Sequence, residues 1–366
     1  MISMNDFTKL PEGQRQALVS AFERVLDSGH FVLGQEVQKF EENWANYCGT
    51  KYAIGVGNGL DAIEIGLRAT GIGPGDEVIT TPMTAAATVL GILRAGATPV
   101  LADIHLNTGL LDRTVVEKVI TARTKAVLLV HLFGQMREMK EWKDFCDSHN
   151  ILLLEDAAQA HGAAENGVKA GNWGTFGAFS FYPTKNLGAI GDAGAITTSD
   201  PEIAERARSI RNYGQKDRYH HDAFGLNSRL DELQAALLNE KIQSLNSETD
   251  QRRNNANLYR ANLDEAVVSL LEEPLIPENH VTHLFVVRTE EREKLQEHLQ
   301  QSSVQTLIHY PVPMHQQLAF GSSFKGKSAF PNTDRFAQTC LSLPGGPHLT
   351  ETEVFRVSGL IGNLKR

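Results

Sequence analysis

The chain has 366 residues, 41% hydrophobic and 22% charged, an ordinary balance for a soluble globular protein with one large domain and a smaller one. Its formal charge is −9, which argues against a general nucleic-acid binder but leaves room for a local cationic cluster that takes an anionic small molecule. Cys48, Cys146 and Cys340 are scattered with no CxxC pair, apolar runs are only strand-length, and MISMNDFTKLPEG shows no leader pattern. A reducing cytoplasm, with no disulfide scaffold, zinc ribbon or membrane anchor, is therefore expected.

Apolar spacing predicts amphipathic helices over 14–28, closed by Gly29, and over 35–47, with Val37, Phe40, Trp44 and Tyr47 on one face. An alternation follows. KYAIGVG (51–57), DEVITTP (76–82), TPVLADI (98–104), TKAVLLVHLFG (124–134), ILLLEDA (151–157) and AGAITTS (193–199) read as strands. Residues 60–71, 85–96, 111–120, 139–150 and 201–212 read as the helices between and after them. Strand and helix in turn, with Val/Ile/Leu-rich strands, predict an α/β fold with a mostly parallel sheet covered by helices on both faces. The stretch 228–263 reads as one long helix leading into a smaller C-terminal α+β domain made of HLFVVR, EREKLQEHLQQ, VQTLIHY and a final helix. The expected division is 1–240 and 241–366.

In an open parallel sheet, ligands sit beyond the carboxyl ends of the strands. Three stretches fall there. GVGNGLD (55–61) is a glycine turn entering a helix, which suits either a bound phosphate or a plain tight turn. It lacks the third glycine of a dinucleotide fingerprint, since position 60 is leucine. In LLLEDAAQAHGA (152–163), Asp156 ends an apolar strand among small residues that could flank a flat ring; a solvated acid at a strand end is the plainer alternative. No G-x-x-x-x-G-K-[ST] accompanies it, so a nucleotide–magnesium site is disfavoured.

The third stretch, GAFSFYPTKNLGAI (177–190), carries Lys185 with no other charge nearby. Either the amine snorkels to water or it is held for its reactivity. A phosphate cradle, then an acid, then a lysine in a dry loop is an order that suits pyridoxal 5′-phosphate. Lysine takes the aldehyde as a Schiff base, the carboxylate keeps the pyridine nitrogen protonated, and the glycine turn with Ser180 holds the phosphate.

With these motifs the chain resembles the fold-type I, pyridoxal-phosphate-dependent nucleotide-sugar aminotransferases of the DegT/DnrJ/EryC1/StrS family. The resemblance spans nearly the whole length. It is carried by VLGQEVQKFEE (32–42), GVGNGLDAIEIGLRA (55–69), GPGDEVI (73–79), LLLEDAAQAHGA (152–163), FSFYPTKNLGAIGDAGAI (179–196), RNYGQKDRYHHDAFGLNSRLDELQAA (211–236) and IHYPVPMH (308–315).

The resemblance implies that Lys185 bonds the cofactor and shuttles a proton, Asp156 pairs with the ring nitrogen, and Gln159 bonds the ring oxygen. It implies that Gly59, Leu60 and Ser180 hold the phosphate, and that Asn227, and with it Arg229, reaches the site from a neighbouring subunit, making a homodimer. Thr84 is placed beside the cofactor or substrate, while Ala85 stands where many relatives have an aromatic that stacks on the ring. Relatives that dehydrate sugars carry histidine at the lysine position, so Lys185 favours amine transfer.

His309 and Tyr310 match positions that line the sugar site in relatives. Lys216, Arg218 and His221, with Arg211 and His220, make a cationic stretch fit for a nucleotide diphosphate or, more plainly, a solvated loop. The expected reaction passes the amino group of glutamate to a dTDP- or UDP-linked 3-keto hexose in a ping-pong sequence. The alternatives are a 4-keto acceptor on the same scaffold and a non-catalytic regulatory protein of the same fold.

Overall fold

The computed structural model describes residues 1–10, 12–320, 324 and 329–365. Helix α1 (Gln14–Ser28) stops where Gly29 turns left-handed and returns its N–H to Leu26. Helix α2 (Gln35–Cys48) has no capping side chain of its own. The Glu232 carboxylate caps it instead, accepting from the amides of Gly34, Glu36 and Val37 at 2.7, 2.9 and 2.9 Å.

The alternation then runs β1 (Tyr52–Val56), α3 (Gly59–Ala69), β2 (Glu77–Thr80), α4 (Ala86–Arg94), β3 (Thr98–Leu101), α5 (Arg113–Val119), β4 (Thr124–Val130), α6 (Met139–Ser148) and β5 (Leu152–Asp156). A short hairpin, β6 (Ala164–Glu165) and β7 (Val168–Lys169), precedes β8 (Gly177–Ser180), β9 (Gly194–Thr198) and α7 (Pro201–Arg211). Seven of these strands form one sheet in the order β1-β9-β8-β5-β4-β2-β3. Only β9 runs against the rest of that sheet. Ala126, Leu128 and Leu154 face one core, beneath α3 and α7; Val127, Leu129 and Leu153 face the other, with Phe40, Trp44 and Trp142. Burial on both faces is why these strands read as unbroken apolar runs.

Beyond an exposed hairpin, β10 (Gln215–Asp217) and β11 (His220–His221), come α8 (Glu232–Lys241) and α9 (Leu245–Asn262). The C-terminal unit adds β12 (Ser269–Leu270), β13 (Phe285–Arg288), α10 (Arg292–Gln301), α11 (Pro331–Thr339), β14 (Cys340–Leu343) and α12 (Glu351–Gly362), with its three strands in one antiparallel sheet.

Four expectations change. The single helix over 228–263 is two helices that begin only at Glu232 and are broken by a tighter turn at Ile242–Ser244. The residues before it stay extended, since Asn227 bridges Asn212, Asp231 bridges Val32, and Leu230 is buried against Gly55 of β1. The strand expected over 124–134 ends at Val130, because Phe133 takes φ 62° and turns the chain. Strand β8, short and rich in small residues, went unread. Finally, Ile2 pairs with Val304 inside the C-terminal core and the Met4 amide bonds Gln305, so the first residues belong with the unit placed at 241–366.

Among the described residues, no helix is long and apolar enough to cross a membrane. The three cysteines are free and buried.

Candidate active site

The carboxyl ends of β1, β5 and β8 converge below the C-terminal unit. At the end of β1, Asn58 caps α3, its side-chain oxygen accepting from the Asp61 amide at 2.9 Å. The amides of Gly59 and Leu60 have no acceptor among the described residues, as expected of a helix's first turn. Gly59 lies so close to Ser180 that a Cβ on it would come within 2.6 Å of the serine Cβ. A Cβ on Gly194, from the other side, would meet the Asn58 carbonyl at 2.4 Å. The turn is therefore a cradle of bare backbone beside the half-buried Ser180. Asp61 does not compete for it: its carboxylate is taken by Ser228 at 2.6 Å and Arg94 at 3.1 Å.

Asp156 ends β5 and is 6% exposed. Thr88 donates to its Oδ2 at 2.7 Å and the Ala158 amide to Oδ1 at 3.2 Å. Thr88 has one proton to give, so it accepts from Thr84, 2.7 Å away, and the two hydroxyls form an ordered chain ending on the acid. Burial raises the Asp156 pKa on balance, with these hydrogen bonds and the Lys185 charge opposing only part of that rise. Thr84 is thus fully buried behind Thr88 and supports the acid from there.

The side chain of Gln159 is fixed at both ends. Its oxygen accepts from the Phe133 amide at 2.6 Å, and its nitrogen donates to the Tyr310 hydroxyl at 3.2 Å. The left-handed turn at Phe133 is what aims that amide. One amide proton of Gln159 remains free. Burial and the Asp156 charge push the Tyr310 hydroxyl up to about 12, so it stays protonated.

Lys185 follows β8 in a turn closed by its own amide on the Tyr182 carbonyl. Its amine has neither a hydrogen bond nor an ion pair among the described residues, and desolvation lowers it to about 8 against Asp156's opposing pull. Three imidazoles surround it. Burial, reinforced by the Lys185 charge, lowers His309 to about 4, His161 to about 3 and His283 well below its usual value. His309 is held by the Ser342 hydroxyl at 2.9 Å, His161 by the Ser180 carbonyl at 2.9 Å, and His283 by Asn186 at 3.0 Å. All three are neutral near pH 7 and add no charge to the chamber.

One group of expected residues is therefore assembled within a single chain: Lys185, Asp156, Gln159, Gly59, Leu60, Ser180, Thr84, His309 and Tyr310. A second group is not. Asn227 is exposed, and Arg229 bonds Asn212 at 3.0 Å and lies over the Tyr213 ring. On the exposed hairpin, Lys216 faces Asp222 at 3.8 Å, Arg218 lies over Tyr219, and His221 bonds the Tyr213 carbonyl. Ala85 is the half-buried residue before α4. Sequence reading passed over Thr88, His161, His283 and Asn186. Thr88, four residues after Thr84 on the otherwise apolar start of α4, was a signal for the first; for the imidazoles there was none, because tertiary closure brings them together.

These residues fit the cofactor the motifs suggested. The cradle would take a phosphate, the buried acid with its hydroxyl chain would suit a ring nitrogen, and the unpartnered amine would suit an aldehyde.

The profile of the DegT/DnrJ/EryC1/StrS aminotransferase family matches residues 13–361. A dTDP-3-amino-3,4,6-trideoxy-alpha-D-glucose transaminase from Streptomyces venezuelae is 45% identical over 92% of this chain and 89% of its own. A dTDP-3-amino-3,6-dideoxy-alpha-D-galactopyranose transaminase from Aneurinibacillus thermoaerophilus is 45% identical over 98% of each chain. A Geobacillus stearothermophilus protein named pleiotropic regulatory protein is 43% identical over 96% and 95%. The crystal structure of S. venezuelae DesV in complex with a ketimine intermediate superposes with a TM-score of 0.95 at 42% identity, covering 100% of this chain and 98% of that one.

Proposed function

Because the chain belongs to the DegT/DnrJ/EryC1/StrS aminotransferase family, whose members depend on pyridoxal 5′-phosphate, we propose that it moves the amino group of glutamate to carbon 3 of a keto hexose linked to dTDP or UDP. The observation that carries the reading is the Lys185 amine, lowered to about 8 and unpartnered beside Asp156. The names of the two transaminase relatives support carbon 3.

When bound, the cofactor supplies an aldehyde that condenses with amines and a ring that withdraws electrons from the bond being broken. The residues of the chain do the rest. Lys185 would hold the cofactor through its amine and, when freed, would move a proton at the substrate's amino carbon. Asp156, which accepts from Thr88 and Ala158, would hold the proton on the ring nitrogen. Gln159 would offer its free amide proton to the ring oxygen. The Gly59 and Leu60 amides, the α3 dipole and the Ser180 hydroxyl would receive the phosphate. With Ala85 in place of an aromatic, one face of the ring is left to small contacts.

Asn227 and Arg229 complete the site of a second copy in a homodimer, where the hairpin cations Lys216, Arg218 and His221 meet the nucleotide diphosphate. His309 and Tyr310 line the sugar. The enzyme works in the cytoplasm, where nucleotide sugars are made.

The test is an amine-transfer assay with glutamate on matched 3-keto and 4-keto nucleotide sugars. Transfer to the 3-keto sugar supports the proposal, and exclusive transfer to the 4-keto sugar replaces it. A wild-type protein that binds the cofactor yet aminates neither would favour the regulatory role that the Geobacillus relative's name suggests.

A further inference from the structure

A cavity of about 380 Å³ opens on Lys185 between the N-terminal segment, the start of α9 and the loop at Pro347 and His348. Its wall holds Arg252. This residue lies on the inward stripe of α9 with Leu245, Thr249, Asn255, Ala256 and Tyr259, positions that ordinarily take uncharged side chains. It is only 7% exposed, its Nε is buried with no acceptor, and no other hydrogen bond or ion pair reaches the guanidinium among the described residues.

Burying a guanidinium without a partner is costly, so its retention calls for an anion. Glu248, one turn earlier on α9, acts on that guanidinium through space but forms no ion pair with it among the described residues, and accepts from Ser244 at 2.7 Å. Asp6 accepts from Thr8, and Lys241 is bonded to the Gly188 carbonyl. A smaller space of about 70 Å³, lined by His283 and His309, borders the same guanidinium. Two imidazoles, His161 and His283, feel both Lys185 and Arg252, so the two cations belong to one neighbourhood.

We propose that Arg252 is the anchor for a carboxylate of the amino-acid donor, holding it in the chamber that Lys185 opens on. The inference rests on the transaminase reading above. A donor's carboxylate lies within a few bonds of the carbon whose amine is exchanged, whereas the diphosphate of a nucleotide sugar is separated from carbon 3 by the ring. A guanidinium sharing one small chamber with the reacting lysine therefore suits the donor. Arginine's planar fork also matches a carboxylate in two parallel hydrogen bonds.

The test separates the two half-reactions of the cofactor-loaded enzyme by absorbance. Arg252→Met should raise the half-saturating glutamate concentration about 10- to 100-fold, the effect of one lost charge-assisted pair. The reverse half-reaction, from a nucleotide 3-amino sugar, should stay within about twofold. Arg252→Lys should fall between, and Arg253→Gln, on the next position but outside the chamber, should match wild type. Run with alanine as donor, a similar loss assigns the α-carboxylate to Arg252, and no loss assigns the side-chain carboxylate.

A second readout needs no turnover. In cofactor-free protein, 2-oxoglutarate should raise the melting temperature of wild type and not of Arg252→Met. Should Arg252→Met fail to fold, Arg252→Lys carries both measurements. An unchanged glutamate dependence, or equal losses in both half-reactions, overturns the proposal. Wild-type protein that responds to glutamate but to no amino sugar overturns the proposed acceptor and leaves Arg252 standing.

Discussion

Two cationic regions of this molecule differ in what their charges are free to do. The hairpin at 215–221 is where sequence reading found the densest positive charge, yet its members are exposed and already matched: Lys216 with Asp222, His220 with Asp217, Arg218 with Tyr219. Around the buried chamber the cations are fewer, but Lys185 and Arg252 have no hydrogen-bond or ion-pair partner among the described residues. Exposed pairs contribute about 0–1 kcal/mol. A buried unpaired charge costs several times that, so its cost must be offset by a ligand or by function. Counting basic residues locates the first region; only packing reveals the second.

Substitutions should separate the regions sharply. Lys185→Ala should cut turnover by at least about a thousandfold and remove the visible absorbance of bound cofactor. Retained turnover would show that the chamber's amine is idle. Asp156→Asn comes next, with turnover down about a hundredfold or more, because a neutral amide cannot hold the ring proton. It should also lower the Lys185 pKa further, since the Asp156 charge is what raises it.

Asn227→Ala should weaken cofactor retention by about tenfold, the loss of one hydrogen bond to a charged group. If Asn227 completes a partner's site as proposed, mixing Asn227→Ala with Lys185→Ala should restore activity, because one site of each mixed dimer is then native. No recovery would place Asn227 outside a shared site. The smallest effect is expected from Lys216→Ala with Arg218→Ala: a rise of a few-fold in the sugar's KM, fading as salt is added. A larger loss there than at Arg252 would invert the comparison.

Much of the architecture could be read in advance, for a physical reason. Buried parallel strands announce themselves as runs such as LLLE, and the α1 and α2 helices by apolar spacing closed with glycine. Lys185 stood out as a lone charge in an apolar run, and Asp156 as the acid that closes one before a stretch of small residues. Strand β8 stayed hidden because Gly177 and Ala178 carry little side chain to mark it. The cap on α2 was also invisible, since it comes from Glu232, far along the chain. The surroundings of Asp156 and Lys185 depend on the same kind of closure: Thr88 arrives on α4, and His283 and His309 come from the C-terminal unit. Contacts between distant segments leave no periodic trace.

The most direct measurement is borohydride reduction of the protein with pyridoxal 5′-phosphate across a pH series, followed by peptide mapping. Lysine 185 at about 8 is predominantly protonated below that pH and neutral above it, so labelling of its peptide should climb with pH and level off just above 8. An ordinary lysine would keep gaining up to 10.5. Label confined to position 185 with that early plateau is the predicted result; label on other lysines, or an unmarked position 185, would contradict it.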